Sequence, residues 1–382
     1  MLTTAPTGSL EVWAAAQTLR VVAVAPPTAT APPASLGGLH QVQRLVEGLA
    51  ERGHQVTLIG RGLGELTGGG YSVIDTDPTG GQHASAEIVE RLHAQQAGKV
   101  LEQLGSVDVV SDHTRLGWLP AGQQSPDGRT VQTSYQALAD PPGPTRRTGH
   151  LGWVAVSQHQ QRNAPGMPWA KVIHPAIPVG RHPLGTSHGG PCAYLGPLLE
   201  RHGGGLALAA AHTAGVPIVL AGTQSSAEAT AYTEVELRPQ LASGDELLER
   251  VSPVERWELL ADACCLIAPL HPMVPYSLEI VEAMAYGTPV VTLVATVGAE
   301  LVSHGVSGLV ISDAVLLPGA IGKAARLDPQ RVRAHATSRY DLTGMVSAYE
   351  WLFTQLVAAG GPDCRGATAA TPELPARAVR TL

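Results

Sequence analysis

Lysine is nearly missing from this chain, which carries it only at Lys99, Lys171 and Lys323 while Ala, Gly, Pro and Arg abound. That bias marks a GC-rich bacterial coding sequence and says nothing about chemistry. Long apolar runs are missing too: none approaches the roughly eighteen residues of a membrane helix. The opening residues, MLTTAPTGSLEVWAAAQT, lack the basic segment and apolar stretch of a secretory signal, so a soluble cytoplasmic protein is expected. There is no excess of positive charge. A net charge of −7 and a pI near 6.1 argue against nucleic acid or an anionic membrane as partner. The four cysteines, Cys192, Cys264, Cys265 and Cys364, show no CxxC or Cys/His ligand spacing. Cys264 and Cys265 lie in CCLIAPL, a core-strand pattern, so the thiols are expected to be reduced and structural. Histidine occurs 15 times but never as HExxH, and no metal site is expected.

What is present is length and alternation. The 382 residues suit two domains, each able to bury a core. The stretch around which the rest is organised is Pro275 to Val291, PYSLEIVEAMAYGTPVV, which reads as a turn, a short helix and a buried strand. Ser277 stands where it can cap the helix, Gly287 can end it, and Pro289 prevents it resuming. A helix opening from a loop presents unpaired N–H groups and the positive end of its dipole, which suits nucleotide phosphates. Glu282, inside the helix, could accept hydrogen bonds from a sugar diol.

Taken in order, RVVAVA (20–25) is a β-branched run fit for a parallel strand, followed by Gly37-Gly38. Leu39, Val42, Leu45, Val46 and Leu49 recur at helical spacing, Gly53 stops that helix, and QVTLIG is the next strand. VDVVSDH (107–113) is a strand that ends in polar residues at its carboxyl edge, where open α/β sheets place ligands, and TVQTSYQ (130–136) is another. In the second half, CAYLGPLLERHGGGLALAAAHTAGVPIVLAG reads as strand, helix, strand, and VERWELLADACCLIAPL as helix into core strand. Met345, Val346, Tyr349, Leu352, Phe353 and Leu356 form a late helical stripe. This alternation predicts an α/β protein of two doubly wound domains.

LGGLHQVQRLVEGLAERGHQVTLIG, VDVVSDH, GWVAVSQHQQR and, after an apolar half-turn, EAMAYGTPVV, in that order along the chain, resemble retaining glycosyltransferases of family 4 (glycosyl transferases group 1), which have the GT-B fold. The resemblance spans about 20–357 and is nearest the diverged members that serve antibiotic or other secondary-metabolite pathways. It implies two Rossmann-like domains facing across a cleft, transfer of a sugar from a GDP- or UDP-type donor to a small-molecule acceptor with anomeric retention, and no required metal or other cofactor. It also implies a donor site at Gly37, Gly38, Arg201, His202, Ser277, Leu278, Glu279 and Glu282, with His113 and Tyr135 near the reacting sugar. The chain departs from the pattern where the family has a first Glu, an Arg and a Lys: here stand Val274, Pro197 and His202. Tyr135 replaces a histidine and, with an ordinary pKa of about 10, is a poor base. These losses leave open a non-catalytic relative that binds a nucleotide sugar or partners an active transferase, and, less strongly, a sugar-nucleotide epimerase. Solvated surface roles remain open for His113, Glu279, Arg201 and His202.

The expected organisation is a flexible N-terminus (1–18), an acceptor domain (19–177), a linker (178–191), a nucleotide-sugar domain (192–337), a helix crossing back to the first domain (338–360) and a disordered tail (361–382). Nucleotide sugar and small-molecule acceptor are the expected partners. Nucleic acid and integral membrane contact are excluded, and a homodimer is left open.

Overall fold

The computed structural model describes residues 18–27, 38–63, 69–76, 86–114, 129–138, 151–185, 189–224, 226–249 and 251–359. The expected N-terminal lead-in up to residue 17, Gly37 and the tail from residue 360 lie outside these residues.

β-branched runs flanked by amphipathic helices fold as parallel strands, because a parallel sheet must be covered on both faces. The first sheet contains β1 (Arg20–Val24), β2 (Gln55–Gly60), β3 (Ser72–Asp75), β4 (Val109–Asp112), β5 (Thr130–Ser134), β6 (Leu151–Ala155) and β7 (Trp169–Val172), in the order β3-β2-β1-β4-β5-β6-β7. The second contains β8 (Cys192–Leu195), β9 (Ile218–Ala221), β10 (Glu246–Leu248), β11 (Cys265–Ala268), β12 (Val290–Leu293) and β13 (Gly308–Ile311), in the order β10-β9-β8-β11-β12-β13. Every strand pair is parallel, for example Val21 opposite Val56 and Val109, and Cys192 opposite Ile218 and Cys265. In both sheets the strand order reverses beside the first strand, between β1 and β4 and between β8 and β11. Open α/β sheets bind ligands at the carboxyl ends of such a switch point.

The helices are α1 (Gly38–Glu51), α2 (Ala86–Leu104), α3 (Gln158–Asn163), α4 (Gly204–Ala214), α5 (Ala227–Tyr232), α6 (Pro253–Asp262), α7 (Leu278–Ala285), α8 (Gly298–Leu301), α9 (Leu317–Ala324), α10 (Pro329–Tyr340) and α11 (Leu342–Ala358). On one face of the first sheet, Val42, Leu45, Val46 and Leu49 of α1 share a core with Met345, Tyr349, Leu352 and Phe353 of α11. The other face is closed by α2 through Ala97 and Leu101. The second sheet is covered by α7 and α10 on one side and by α4 and α9 on the other. None of the described helices is long and apolar enough to cross a membrane.

The last helix therefore returns to the first sheet, and a polar seam accompanies its apolar stripe. Glu350 of α11 pairs with Arg52 at 2.5 Å and with His54 at 3.1 Å, just beyond α1. The close approach of α1 and α11 needs a residue without a side chain: a Cβ on Gly48 would lie 2.5 Å from Val346 Cγ2. Gly48→Val is accordingly expected to destabilise the chain by about 1–3 kcal/mol, the usual cost of overpacking, in urea unfolding. Val346→Ala in the same chain should recover part of that loss; a Gly48→Val chain as stable as the parent would contradict the packing described.

Candidate functional site

At the carboxyl edge of the first sheet, β4 and β5 end in a hydrogen-bonded row. His113 is buried; its Nε2 lies 2.9 Å from Ser111 Oγ and its Nδ1 lies 3.1 Å from the Tyr135 hydroxyl. Burial pushes the imidazole down to about 3, so it is neutral at pH 7. One ring nitrogen then donates and the other accepts, which ties the orientation of the Tyr135 hydroxyl to that of Ser111. Burial raises the Tyr135 phenol above its ordinary range, which leaves it a hydrogen-bonding group rather than a base. His113 is thus buried, with the Tyr135 hydroxyl on its Nδ1. Gly38 lies beside the same tyrosine: a Cβ there would meet Pro26 Cγ at 3.2 Å and Tyr135 Cδ2 at 3.5 Å. Gln160 fixes the loop, donating from Nε2 to the carbonyls of Ser134 (3.0 Å) and Gln136 (2.7 Å) on either side of Tyr135.

Across from this row stands α7. The chain leaves β11, runs through Pro272 to Tyr276, and enters the helix at Leu278. Ser277 occupies the cap position, but its hydroxyl donates to Glu279 Oε2 at 2.9 Å and makes no capping bond. The expected cap is therefore absent, since the neighbouring carboxylate is the stronger acceptor. Gly287 ends the helix with φ +84°, and a side chain there would run into Leu184 and Pro329.

Glu282 points inward from α7 and is only 6% exposed. Its Oε2 accepts from Arg256 Nε at 2.7 Å, with Nη2 at 2.5 Å. Burial pushes the carboxyl up from the ordinary range while the Arg256 guanidinium holds it back. Arg44 of α1 supplies a further, weaker field from the first domain; it also donates to the Ala176 carbonyl at 3.2 Å. Arg256 was not among the residues expected from the sequence. The available signal was its position four residues before the buried Leu260, on the inner face of α6.

Arg256 and Glu279 line a pocket with Gly196, Pro197, Thr223 and Val251, at the carboxyl end of the β8/β11 switch point. His202 is half-buried within electrostatic reach of Glu279, and burial pushes its imidazole down. Arg201, by contrast, turns outward to Glu228 at 3.3 Å and lines a separate depression with Tyr232 and Pro269. Val274 is buried among apolar groups. The structure brings together Glu279, Glu282, Ser277, Leu278 and His202 around one end of α7, leaves Arg201 apart, and sets Gly38 and Tyr135 on the opposite domain.

One carboxylate ties the two domains beside this site. Glu300 of α8 accepts from the backbone N–H groups of Gln158 (2.8 Å) and His159 (2.7 Å), and His174 Nε2 lies 2.6 Å from its Oε1. Burial opposes its charge, but His174 and the two N–H groups hold the carboxyl below the ordinary glutamate range. The loop before α7 is anchored as well. Ser157 Oγ donates to the Pro275 carbonyl (2.6 Å), His159 Nε2 contacts the Pro272 carbonyl (2.5 Å), and Tyr276 donates to the Pro175 carbonyl (2.7 Å).

At the opposite end of β8 and β11, against the expectation drawn from spacing, the sulfurs of Cys192, Cys264 and Cys265 gather within 4.8 Å of one another.

Two three-two-one-four ordered parallel sheets with apposed carboxyl edges decide the architecture. The fold is GT-B. AviGT4, a glycosyltransferase involved in avilamycin A biosynthesis, is 22% identical, with a TM-score of 0.68 over 89% of this chain and 98% of its own. Sucrose-phosphate synthase from Thermosynechococcus elongatus is 15% identical, with a TM-score of 0.69 over 89% and 99%. HepE of Anabaena, solved in complex with UDP and glucose, is 16% identical, with a TM-score of 0.63 over 88% and 100%. Residues 206–326, which include α6 and α7, match the family described as glycosyl transferases group 1. No curated protein matches the chain.

Because Glu300 has a depressed folded-state pKa, its contribution is present above the ordinary glutamate pKa and is lost as pH falls through the folded value. Glu300→Gln should lower the thermal midpoint at pH 7 and flatten the acid limb of the stability profile below about pH 4.5. An unchanged acid limb would remove Glu300 as the titrating tie between the domains.

Proposed function

We propose that this GT-B protein is a glycosyltransferase that moves a sugar from a nucleotide-diphosphate sugar, of GDP or UDP type, to a small-molecule acceptor with retention at the anomeric carbon. The observation that carries this reading is Arg256, which lines a pocket at the β8/β11 switch point together with Pro197 and Glu279 and is held there by the buried Glu282. Glu282 keeps Oε1 for the ribose hydroxyls while Oε2 is engaged by Arg256. Arg256 then places positive charge beside Pro197, where the resembling family has its own cation. The leaving diphosphate needs that charge more than a protein base, because it can itself accept the acceptor's proton. A metal is not required by this scheme. The small-molecule acceptor lies against the first domain, where Tyr135 offers a hydroxyl oriented through His113 and Ser111. The apolar Val274 in place of a carboxylate suits a donor sugar with fewer hydroxyls to recognise, such as a deoxygenated one. The likeness to AviGT4 supports a role in antibiotic or other secondary-metabolite biosynthesis.

The burial of Val274 and the outward turn of Arg201 favour a second reading, a GT-B relative that binds a nucleotide sugar without transferring it.

Calorimetry with GDP, UDP, dTDP and ADP tests the site. One nucleotide is expected to bind, and Glu282→Gln, which keeps the shape of the side chain, should weaken it at least tenfold. Arg256→Gln should reduce turnover about 10²–10³-fold, the usual effect of removing one donor to a developing anion. Nucleotide binding by a folded wild-type chain without sugar transfer to any acceptor would favour the second reading. No binding to any of the four would remove both.

Removing either partner of the pair leaves the other charged and buried, at a cost of about 3–5 kcal/mol. Thermal unfolding of Arg256→Gln should show that loss, and the double change Arg256→Gln with Glu282→Gln should be less destabilised than either single change. Strict additivity would contradict a direct pair.

A further inference from the structure

The two central strands of the second sheet carry the candidate cleft at their carboxyl ends and three thiols at their amino ends. Cys192 opens β8 and Cys265 opens β11, and the two are register partners. Cys192 Sγ lies 3.7 Å from Cys264 Sγ and 4.0 Å from Cys265 Sγ. Adjacent residues of a strand point to opposite faces. Cys264 escapes that rule because it precedes β11, with its N–H bound to the Pro191 carbonyl at 3.1 Å, and so both neighbouring sulfurs turn toward Cys192.

We infer that Cys192, Cys264 and Cys265 form a closed site for a thiophilic d10 cation, Cu(I) or Zn(II), that staples β8 to the turn between α6 and β11. The spacing fits. Ligand bonds of ~2.3 Å in a trigonal or tetrahedral array place sulfurs ~3.8–4.0 Å apart. The donor set fits too, because three sulfurs with no nitrogen or oxygen ligand among the described residues select a soft ion. All three sulfurs are buried, and their surroundings include Tyr194, Leu208, Ile218 and Ile321. Three thiolates would be expensive there alone, and a bound cation offsets that charge. The ion would sit at the far edge of the sheet from the pocket, in a structural role independent of the proposed transfer reaction.

The full chain carrying Cys364→Ala, reduced and freed of metal with chelator, is titrated with Zn(II) and, without oxygen, with Cu(I) against a chromophoric competitor. One equivalent per chain should bind with submicromolar affinity and raise the thermal midpoint, and the ion held more tightly is the assigned one. X-ray absorption on the loaded chain should show three sulfur neighbours at about 2.3 Å. Cys264→Ala should abolish stoichiometric binding. Absence of stoichiometric binding by both ions, binding unchanged by Cys264→Ala, or fewer than three sulfur neighbours would each overturn the site. Should Cys264→Ala fail to fold, the sulfur count on the loaded parent decides.

Discussion

The relative placement of the two domains is held by a partly buried carboxylate and the hydrogen bonds around it. Glu300 sits against two backbone N–H groups and an imidazole of the other domain, so the donors that it satisfies belong to a body that would otherwise be free to rotate. A carboxylate removed from water needs such partners, and here they are found only when the domains meet in one orientation. The same contact surface fixes the loop from Pro272 to Tyr276 through Ser157, His159 and Pro175. Domain placement and the entrance to α7 are therefore set by neighbouring bonds. Motion of one domain against the other would disturb the start of the helix.

That coupling gives the cleft its character. In a doubly wound sheet the faces are covered by helices, and the carboxyl edge at the switch point is left for ligands. The first domain brings a neutral polar row, Ser111, His113 and Tyr135, while the second brings the charged cluster of Arg256, Glu279 and Glu282. A charged donor and an uncharged acceptor would each meet matching surroundings. Burial keeps the row neutral by holding His113 far below neutral pH, and the charged pair persists because each partner compensates the other's desolvation.

Pro197 and Val274 remove a cation and a carboxylate from positions where the resembling glycosyltransferases carry them. Arg256 and Glu279 line the pocket that Pro197 also lines, from different elements. Charge at a site depends on where side chains end, not on where their backbone begins. A guanidinium from α6 can thus serve a pocket whose usual cation comes from the loop after β8.

The sequence by itself determined the fold class and the ends of its main elements. β-branched runs alternating with helical stripes admit little other than two parallel sheets, and Gly287 with Pro289 terminates α7 because a positive φ and a missing N–H are local properties. The stripe from Met345 to Leu356 likewise needed an apolar partner, which α1 and the first sheet supplied. Tertiary structure alone decided the rest. Ser277 stood in a capping position, yet its hydroxyl went to Glu279. Arg201 and His202 are neighbours in the chain, but Arg201 turns outward to Glu228 while His202 lies within electrostatic reach of Glu279. Arg256, Glu300 and Gln160 acquire their roles from partners 26, 142 and 26 residues away in Glu282, Gln158 and Ser134. The three thiols show the same limit: Cys192 and Cys264 are 72 residues apart, and only parallel pairing of β8 with β11 brings their sulfurs into contact. Periodicity and turn chemistry act over a few residues and can be read along the chain, whereas electrostatic and coordinating contacts act through space and exist only once the sheets have formed.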